Sequence, residues 1–243
     1  MRIIALFFIL LHCSVLQAKP LLVGIPPFIP PFAMEVDGKN QYIGFDVDLI
    51  NEICRRIDRQ CQLQAYNFDQ VLIAVIKGEI DLGIGDITIT AERSDQYIFS
   101  LPYMESNAQY VSLKANNINF PAEIKGKNVG VHHPELFEAV VLRQFGDDVK
   151  IKTYPYIADM IVALTAGDVD VIIMDAAAAE SLYANNNNLV LVGDKTPLGL
   201  GYGIIAGKEN SDLMFKINKA LMAMETDGTY LTIYNIYFGD MKY

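Results

Sequence analysis

The chain carries two copies of one pattern, and that duplication limits the folds open to it. The run Val71-Leu-Ile-Ala-Val-Ile-Lys-Gly-Glu-Ile-Asp-Leu-Gly-Ile-Gly-Asp86 compares with Ile161-Val-Ala-Leu-Thr-Ala-Gly-Asp-Val-Asp-Val-Ile-Ile-Met-Asp175. Gly78 falls on Gly167, Glu79-Ile80-Asp81 on Asp168-Val169-Asp170, and Asp86 on Asp175. Each copy reads as an apolar helix, a glycine just past its end, then a buried strand. The likeness extends upstream. Leu63-Gln-Ala-Tyr66 resembles Ile151-Lys-Thr-Tyr154, and Leu22-Val-Gly-Ile25 resembles Asn128-Val-Gly-Val131, each a strand. Helical patterns over Phe45 to Arg59 and Pro134 to Phe145 fill the gaps. Each half is therefore β-α-β-α-β, which calls for a mostly parallel sheet flanked by helices and right-handed connections.

Two such units make two α/β lobes. A strand at Tyr110-Val-Ser-Leu113 follows the first unit, and a Gly-rich stretch from Thr196 to Ile204 leads into another. Helices over 212–225 and 228–237 are expected on the first lobe. The expected division is residues 19–108 with 201–243 as lobe 1 and 109–200 as lobe 2, joined by two crossings that form a hinge.

Residues 1–18 read as an export signal rather than fold. Arg2 is a basic start, Ile3 to Leu11 is an apolar run too short to span a bilayer as a helix, and Leu16-Gln-Ala18 is a small-residue cleavage site. Cys13 follows His12, where lipidation calls for a small residue. The mature chain then starts at Lys19, with periplasmic localisation expected and no further membrane span. The acidic excess, 29 Asp and Glu against 19 Lys and Arg for a net −10, argues against nucleic-acid binding, which needs a basic face. Hydrophobic residues make up 52% of the chain, enough for a core. The remaining cysteines, Cys54 and Cys61, are even in number and suit a disulfide in an exported chain. Their spacing lacks the paired pattern of a zinc site. Neither a metal nor a cofactor is expected.

Ligands of open parallel sheets bind beyond the carboxyl ends of the strands. Asp86 and Asp175 end matching strands, so facing lobes would point both into one cleft. An Asp ahead of Ala176-Ala-Ala-Ala179 is also a good helix N-cap, as is Thr90 ahead of Ala91-Glu-Arg93. Past Asp86, the run Ile87-Thr-Ile-Thr-Ala-Glu-Arg93 turns from strand to helix. It brings backbone amides and a guanidinium fork suited to a carboxylate. Aromatics gather at the same edge. Phe32 reads as core, whereas Phe28 and Phe68 are candidates to stack on a ligand.

These stretches, with Pro30-Pro-Phe32, Tyr42-Ile-Gly-Phe-Asp-Val-Asp-Leu49, Asn67-Phe-Asp69, Leu113-Lys-Ala-Asn-Asn117, Lys125-Gly-Lys-Asn-Val-Gly-Val131 and Asp227-Gly-Thr-Tyr-Leu-Thr-Ile-Tyr234, resemble bacterial extracellular solute-binding proteins of the polar amino-acid type. Those proteins serve ABC transporters. The resemblance covers nearly all of residues 20–239. The Cys54 and Cys61 spacing is similar to that of lysine/arginine/ornithine- and histidine-binding members. Tyr42 to Leu49 and Ile87 to Thr90 are similar to the glutamine-binding member. The resemblance implies the two-lobed periplasmic-binding-protein-like fold, a free amino acid as ligand, an inner-membrane ABC permease as partner, and a monomer. It implies that Arg93 clamps the ligand α-carboxylate together with Thr88, that Asp175 pairs with the α-ammonium, and that Phe68 stacks on the side chain. Ile87 and Leu136 complete the expected ligand-binding set, Leu136 through its amide. Three positions depart from the family pattern. Pro26 replaces a common Asp. Ile29 takes an aromatic position, with Phe28 beside it. His132-His-Pro-Glu-Leu-Phe137 replaces a Gly- and Ser/Thr-rich loop, and Pro134 has no N–H. Asp86, where the family has a small residue, favours a basic side chain: arginine, lysine or ornithine.

Two rivals accompany this reading. One is a dehydratase-like enzyme on the same scaffold, with His133 or Glu135 as acid or base. Against it, the chain shows no nucleophile–base pair. The other is a sensor or adhesin that keeps the fold with weakened transport.

Overall fold

In the computed structural model of the protein, the described residues are 19–36, 38, 41–132 and 134–239. The expected export signal and His133 lie outside them, as do the side chains of Pro134 and Glu135. The first half of the chain runs β1 (Leu21–Ile25), β2 (Phe28–Ile29), β3 (Ala33–Val36), β4 (Gln41–Ile43), α1 (Phe45–Arg56), β5 (Cys61–Ala65), α2 (Phe68–Ile76), β6 (Leu82–Gly83), α3 (Ala91–Ser94) and β7 (Ile98–Phe99). There follow β8 (Asn107–Leu113), β9 (Asn128–Val131), α4 (Pro134–Phe145), β10 (Lys150–Thr153), α5 (Ile157–Ala166), β11 (Val171–Asp175), α6 (Ala176–Ala184) and β12 (Leu189–Pro197). The chain closes with β13 (Ile205–Ala206), α7 (Ser211–Thr226) and α8 (Thr229–Phe238).

The duplication is visible in the topology. One sheet has the order β5-β1-β6-β13-β7 and the other β10-β9-β11-β8-β12. The triples β5-β1-β6 and β10-β9-β11 are parallel and identically ordered. The sheets are mixed, because the strand beside each triple is antiparallel: β13 on β6 and β8 on β11. Both antiparallel strands come from outside the repeated unit, β13 from beyond the second one. A small antiparallel sheet, β2-β3-β4, sits on the first lobe.

The repeat also reproduces its hydrogen bonds. Left-handed backbone at Gly78 and Gly167 ends α2 and α5. The next N–H, of Glu79 or Asp168, then donates back to Ala74 or Ala163, at 2.9 Å in each copy, the six-to-one closure of a helix end. Two residues on, Asp81 and Asp170 each accept the first-strand N–H of Leu22 and Asn128 at 2.8 Å.

Helix α1 stops at Arg56, short of the expected Arg59. Asp58 takes left-handed backbone (φ 52) and the Arg59 N–H turns back to the Cys54 carbonyl. A Cys54–Cys61 disulfide ties this helix end to β5.

Each sheet is covered on both faces. In the first lobe, α1, α7 and α8 bury Phe45, Ile50, Ile217, Leu221 and Phe238 on one side, and α2 buries Val71 and Val75 on the other. In the second lobe, α4 covers one face with Phe137 and Val141, and α5 and α6 cover the other with Met160, Leu164 and Ala179. Both C-terminal helices thus pack on the first lobe, although the second lobe lies between them and that lobe's early strands in sequence.

Candidate functional site

The two repeated aspartates meet. Asp175 is the last residue of β11 and precedes α6, but its side chain makes no capping bond. It accepts instead the hydroxyl of Tyr202 at 2.5 Å. Asp86 does not end its strand as its twin does. It lies beyond β6 with φ 45, a left-handed conformation that Asp tolerates better than most residues. The Asp86 N–H donates to Asp46 Oδ2 at 3.2 Å. The carboxyls of Asp86 and Asp175 face one another across the lobes. Asp46, Asp86 and Asp175 are all buried, and Tyr103 stands beside Asp46.

This environment resists ionisation. Burial pushes the Asp46 carboxyl up to about 7, against the opposing Asp86 N–H and Tyr103 hydroxyl. Burial also raises Asp86 well above the ordinary carboxylate range, and the charges of Asp175 and Asp46 add to it, while Arg93 opposes. Asp175 is raised by burial and eased back by Tyr202, Asp86 and Arg93. Burial and the neighbouring carboxylates keep the Tyr103 and Tyr202 hydroxyls protonated. Asp86 Oδ1 and Asp46 Oδ1 are buried without a hydrogen-bond donor among the described residues. A unit charge about 4 Å away at an effective dielectric near 20 would be worth about 4 kcal/mol, so this cluster has a strong demand for a cation.

Arg93 is buried and its Nη1 donates to the Thr88 carbonyl at 3.1 Å. Its guanidinium lies 5.1 Å from the centre of the Phe68 ring. The ring is itself buried, and this contact braces Arg93. Thr90 caps α3 by accepting the Arg93 N–H, as expected of a Thr ahead of Ala-Glu-Arg. Helix α3 is a single turn, however, too short for a macrodipole of consequence. The fixed positive charge at this point is the guanidinium of Arg93. Thr88 is buried with its hydroxyl 2.7 Å from that of Ser106. The Ile87 side chain lies in the core under α2, and its carbonyl accepts the Gly203 N–H.

Two cavities with walls from both lobes adjoin these residues. One, of about 200 Å³, is lined by Phe28, Phe68, His132 and Tyr156 among others. The other, of about 540 Å³, has Arg93 and Leu72 on one side and Leu136 on the other. The structure thus brings Asp86, Thr88, Arg93, Phe68 and Asp175 to the interlobe contact and leaves Phe28 and Leu136 on cavity walls. Asp46, Tyr103 and Tyr202 escaped the sequence reading. Asp46 had one signal, an acid within the buried face of α1 between Phe45 and Val47. Tyr202 had another, its place in Gly199-Leu-Gly-Tyr-Gly203. No group of three His, Cys, Asp or Glu side chains arranged to hold a metal ion occurs among the described residues.

Comparison with known proteins agrees with this architecture. The sequence profile of the bacterial extracellular solute-binding proteins, family 3, matches residues 21–240. The putative ABC transporter arginine-binding protein 2 of Escherichia coli (strain K12) is 32% identical over 215 residues, covering 86% of each chain. An arginine 3rd transport system periplasmic binding protein from Legionella pneumophila superposes with a TM-score of 0.84 at 37% identity, over 90% of this chain and 99% of that one. An ancestral arginine-binding protein bound to glutamine superposes at 0.83 with 35% identity, over 91% and 98%. Its strand order, its two-lobed duplication and the profile match over 21–240 together show that the chain belongs to the bacterial extracellular solute-binding proteins of family 3.

Proposed function

We propose that the protein captures a free amino acid with a cationic side chain (arginine, lysine or ornithine) between its lobes and hands it to an ABC importer in the inner membrane. The observation that carries this reading is the buried meeting of Asp46, Asp86 and Asp175, on which Arg93 is the cation acting among the described residues. A zwitterion offers Asp175 one positive charge. A basic side chain offers Asp86 a second. In this reading Arg93, braced by Phe68, takes the α-carboxylate with the Thr88 backbone. Leu136 approaches from the second lobe, and Phe28 lines the cavity beside the stack. Lobe 1 is taken as 19–108 with 201–243 and lobe 2 as 109–200. The protein acts as a periplasmic monomer by binding, without turnover. Similarity to arginine-binding proteins supports a basic ligand. The ancestral neighbour bound to glutamine favours glutamine as a second reading, because Arg93, Thr88 and Asp175 would serve either ligand.

Charge-assisted hydrogen bonds contribute about 1.5–3 kcal/mol each, and micromolar affinity needs roughly 8 kcal/mol. Three or four such bonds sum to about 4.5–12 kcal/mol, a range that brackets this value. Isothermal titration of the mature chain with the twenty amino acids and ornithine tests the reading. One of arginine, lysine or ornithine should bind at micromolar concentration or better, and Arg93→Ala should weaken it by roughly 100-fold or more. No heat with any basic amino acid would sink the cationic preference.

A further inference from the structure

We infer that Tyr202 is a positioning residue for capture: from the first lobe it holds the second-lobe Asp175 carboxylate in place for the ligand's ammonium. The inference rests on the capture reading above, but not on which amino acid is bound.

Tyr202 lies on the segment returning from the second sheet to β13. Its backbone is locked to the first lobe. Its N–H donates to the Met104 carbonyl at 2.8 Å and its carbonyl accepts the Tyr103 N–H at 2.9 Å. On either side, the Ile89 N–H donates to the Gly201 carbonyl at 2.8 Å and the Gly203 N–H to the Ile87 carbonyl at 3.0 Å. The same Ile87–Ile89 run carries Thr88. The flanking glycines permit this close approach. A Cβ on Gly199 would stand 2.2 Å from the Ile89 carbonyl oxygen, and one on Gly201, whose φ is 108, would stand 2.6 Å from that of Met104. The Gly-x-Gly-x-Gly spacing around Tyr202 therefore seats one tyrosine against the strand run that offers the carboxylate subsite.

From that seat the ring packs edge-on to Phe32, centroids 5.5 Å apart, and its hydroxyl reaches Asp175 Oδ1. Ser106 joins the two halves of the subsite, touching both the Thr88 hydroxyl and the Tyr202 hydroxyl. Thr88, Ser106, Tyr202 and Asp175 thus form one buried polar chain from the carboxylate side to the ammonium side. The groups facing Asp175 are Tyr202, Asp86 and Arg93, with Asp46 and Tyr103 behind Asp86. Among them Tyr202 donates a hydrogen bond that favours the ionised carboxylate the ammonium needs.

Tyr202→Phe keeps the ring and removes the hydroxyl. Binding of L-arginine, L-lysine, L-ornithine and L-glutamine by the mature wild type and the variant, titrated from pH 5 to pH 8, tests the assignment. The best ligand should lose about tenfold in affinity. The pH below which binding fails should also move upward, because Asp175 without its donor takes a proton more readily. Thermal melts of the variant over the same pH range confirm that it is folded at each point of the titration. Affinity within twofold of wild type, or a uniform loss with an unmoved midpoint, would overturn the role of Tyr202. Binding of glutamine alone by the wild type would remove only the cationic preference, and the variant would then be judged on glutamine. A wild type that binds none of the four would remove the capture reading and this role with it.

Discussion

At the scale of a single residue, Asp46 is an acid whose burial opposes its ionisation. It belongs to the first turn of α1, where an exposed Asp would stabilise the helix, yet here it is buried against Asp86 and Tyr103. Its folded value of about 7 stands above the ordinary 3.8. Between those values the folded chain holds a proton that the unfolded chain has released, so stability is greatest at the acid end and falls as pH rises from about 4 to about 7. The drop from this group is about 4 kcal/mol. Asp86 and Asp175, raised in the same direction, act with the same sign. Asp46→Asn should therefore gain stability relative to wild type as pH rises. Thermal melts of both ligand-free proteins at pH 4 to 8 check this, and parallel curves would refute it. Burial of an acid 40 residues from its partner in sequence was beyond reading from the pattern, because Asp46 fits the acid-in-first-turn rule equally well when solvated.

At the level of elements, the repeat preserves a hydrogen-bonding device as well as hydrophobicity. Asp81 and Asp170, matched in sequence, each close the loop between helix and third strand onto the first strand of their lobe. Asp81→Ala and Asp170→Ala should each cost about 1–2 kcal/mol by urea denaturation, with ligand affinity unchanged, since neither touches the interlobe cluster. Unequal losses differing by more than about 2 kcal/mol would show that the twins are not equivalent. Helices, parallel triples and the Gly-ended α2 and α5 were legible, because period, glycine position and repetition all agreed. The antiparallel partners were not. The strand patterns of β8 and β13 state burial, not neighbour, and β13 (two residues) is too short to show a period at all.

For the whole molecule, three carboxyls that burial holds against ionisation lie at one place, and the proposed cationic ligand would favour their ionised forms there. A ligand that binds only the folded form at about 100 times its Kd adds about 2.7 kcal/mol, worth roughly 5–10 °C for a chain of this size. Arginine should raise the melting temperature by this amount and aspartate should not. Fluorescence-monitored melts with each would show it, and equal shifts would contradict a charge-selective cleft. Shape alone would not produce that selectivity: in the proposed pose Arg93 and Asp175 take the groups common to every amino acid, which leaves Asp86 for the side chain.

The sequence by itself determined two α/β units, the glycine ends of α2 and α5, the cysteine pair and a short list of cleft residues. All are written in local period, turn chemistry or repetition, and the family resemblance could be read from contiguous motifs. Tertiary structure alone decided that Asp86 and Asp175 share one buried site, that Asp46 supports the first and Tyr202 the second, and that Phe68 braces Arg93. Those contacts join residues 46, 86, 175 and 202, from four separate segments and both lobes. Pairwise distances of that kind follow from sheet order and from the path of two crossings, neither of which any window of sequence contains.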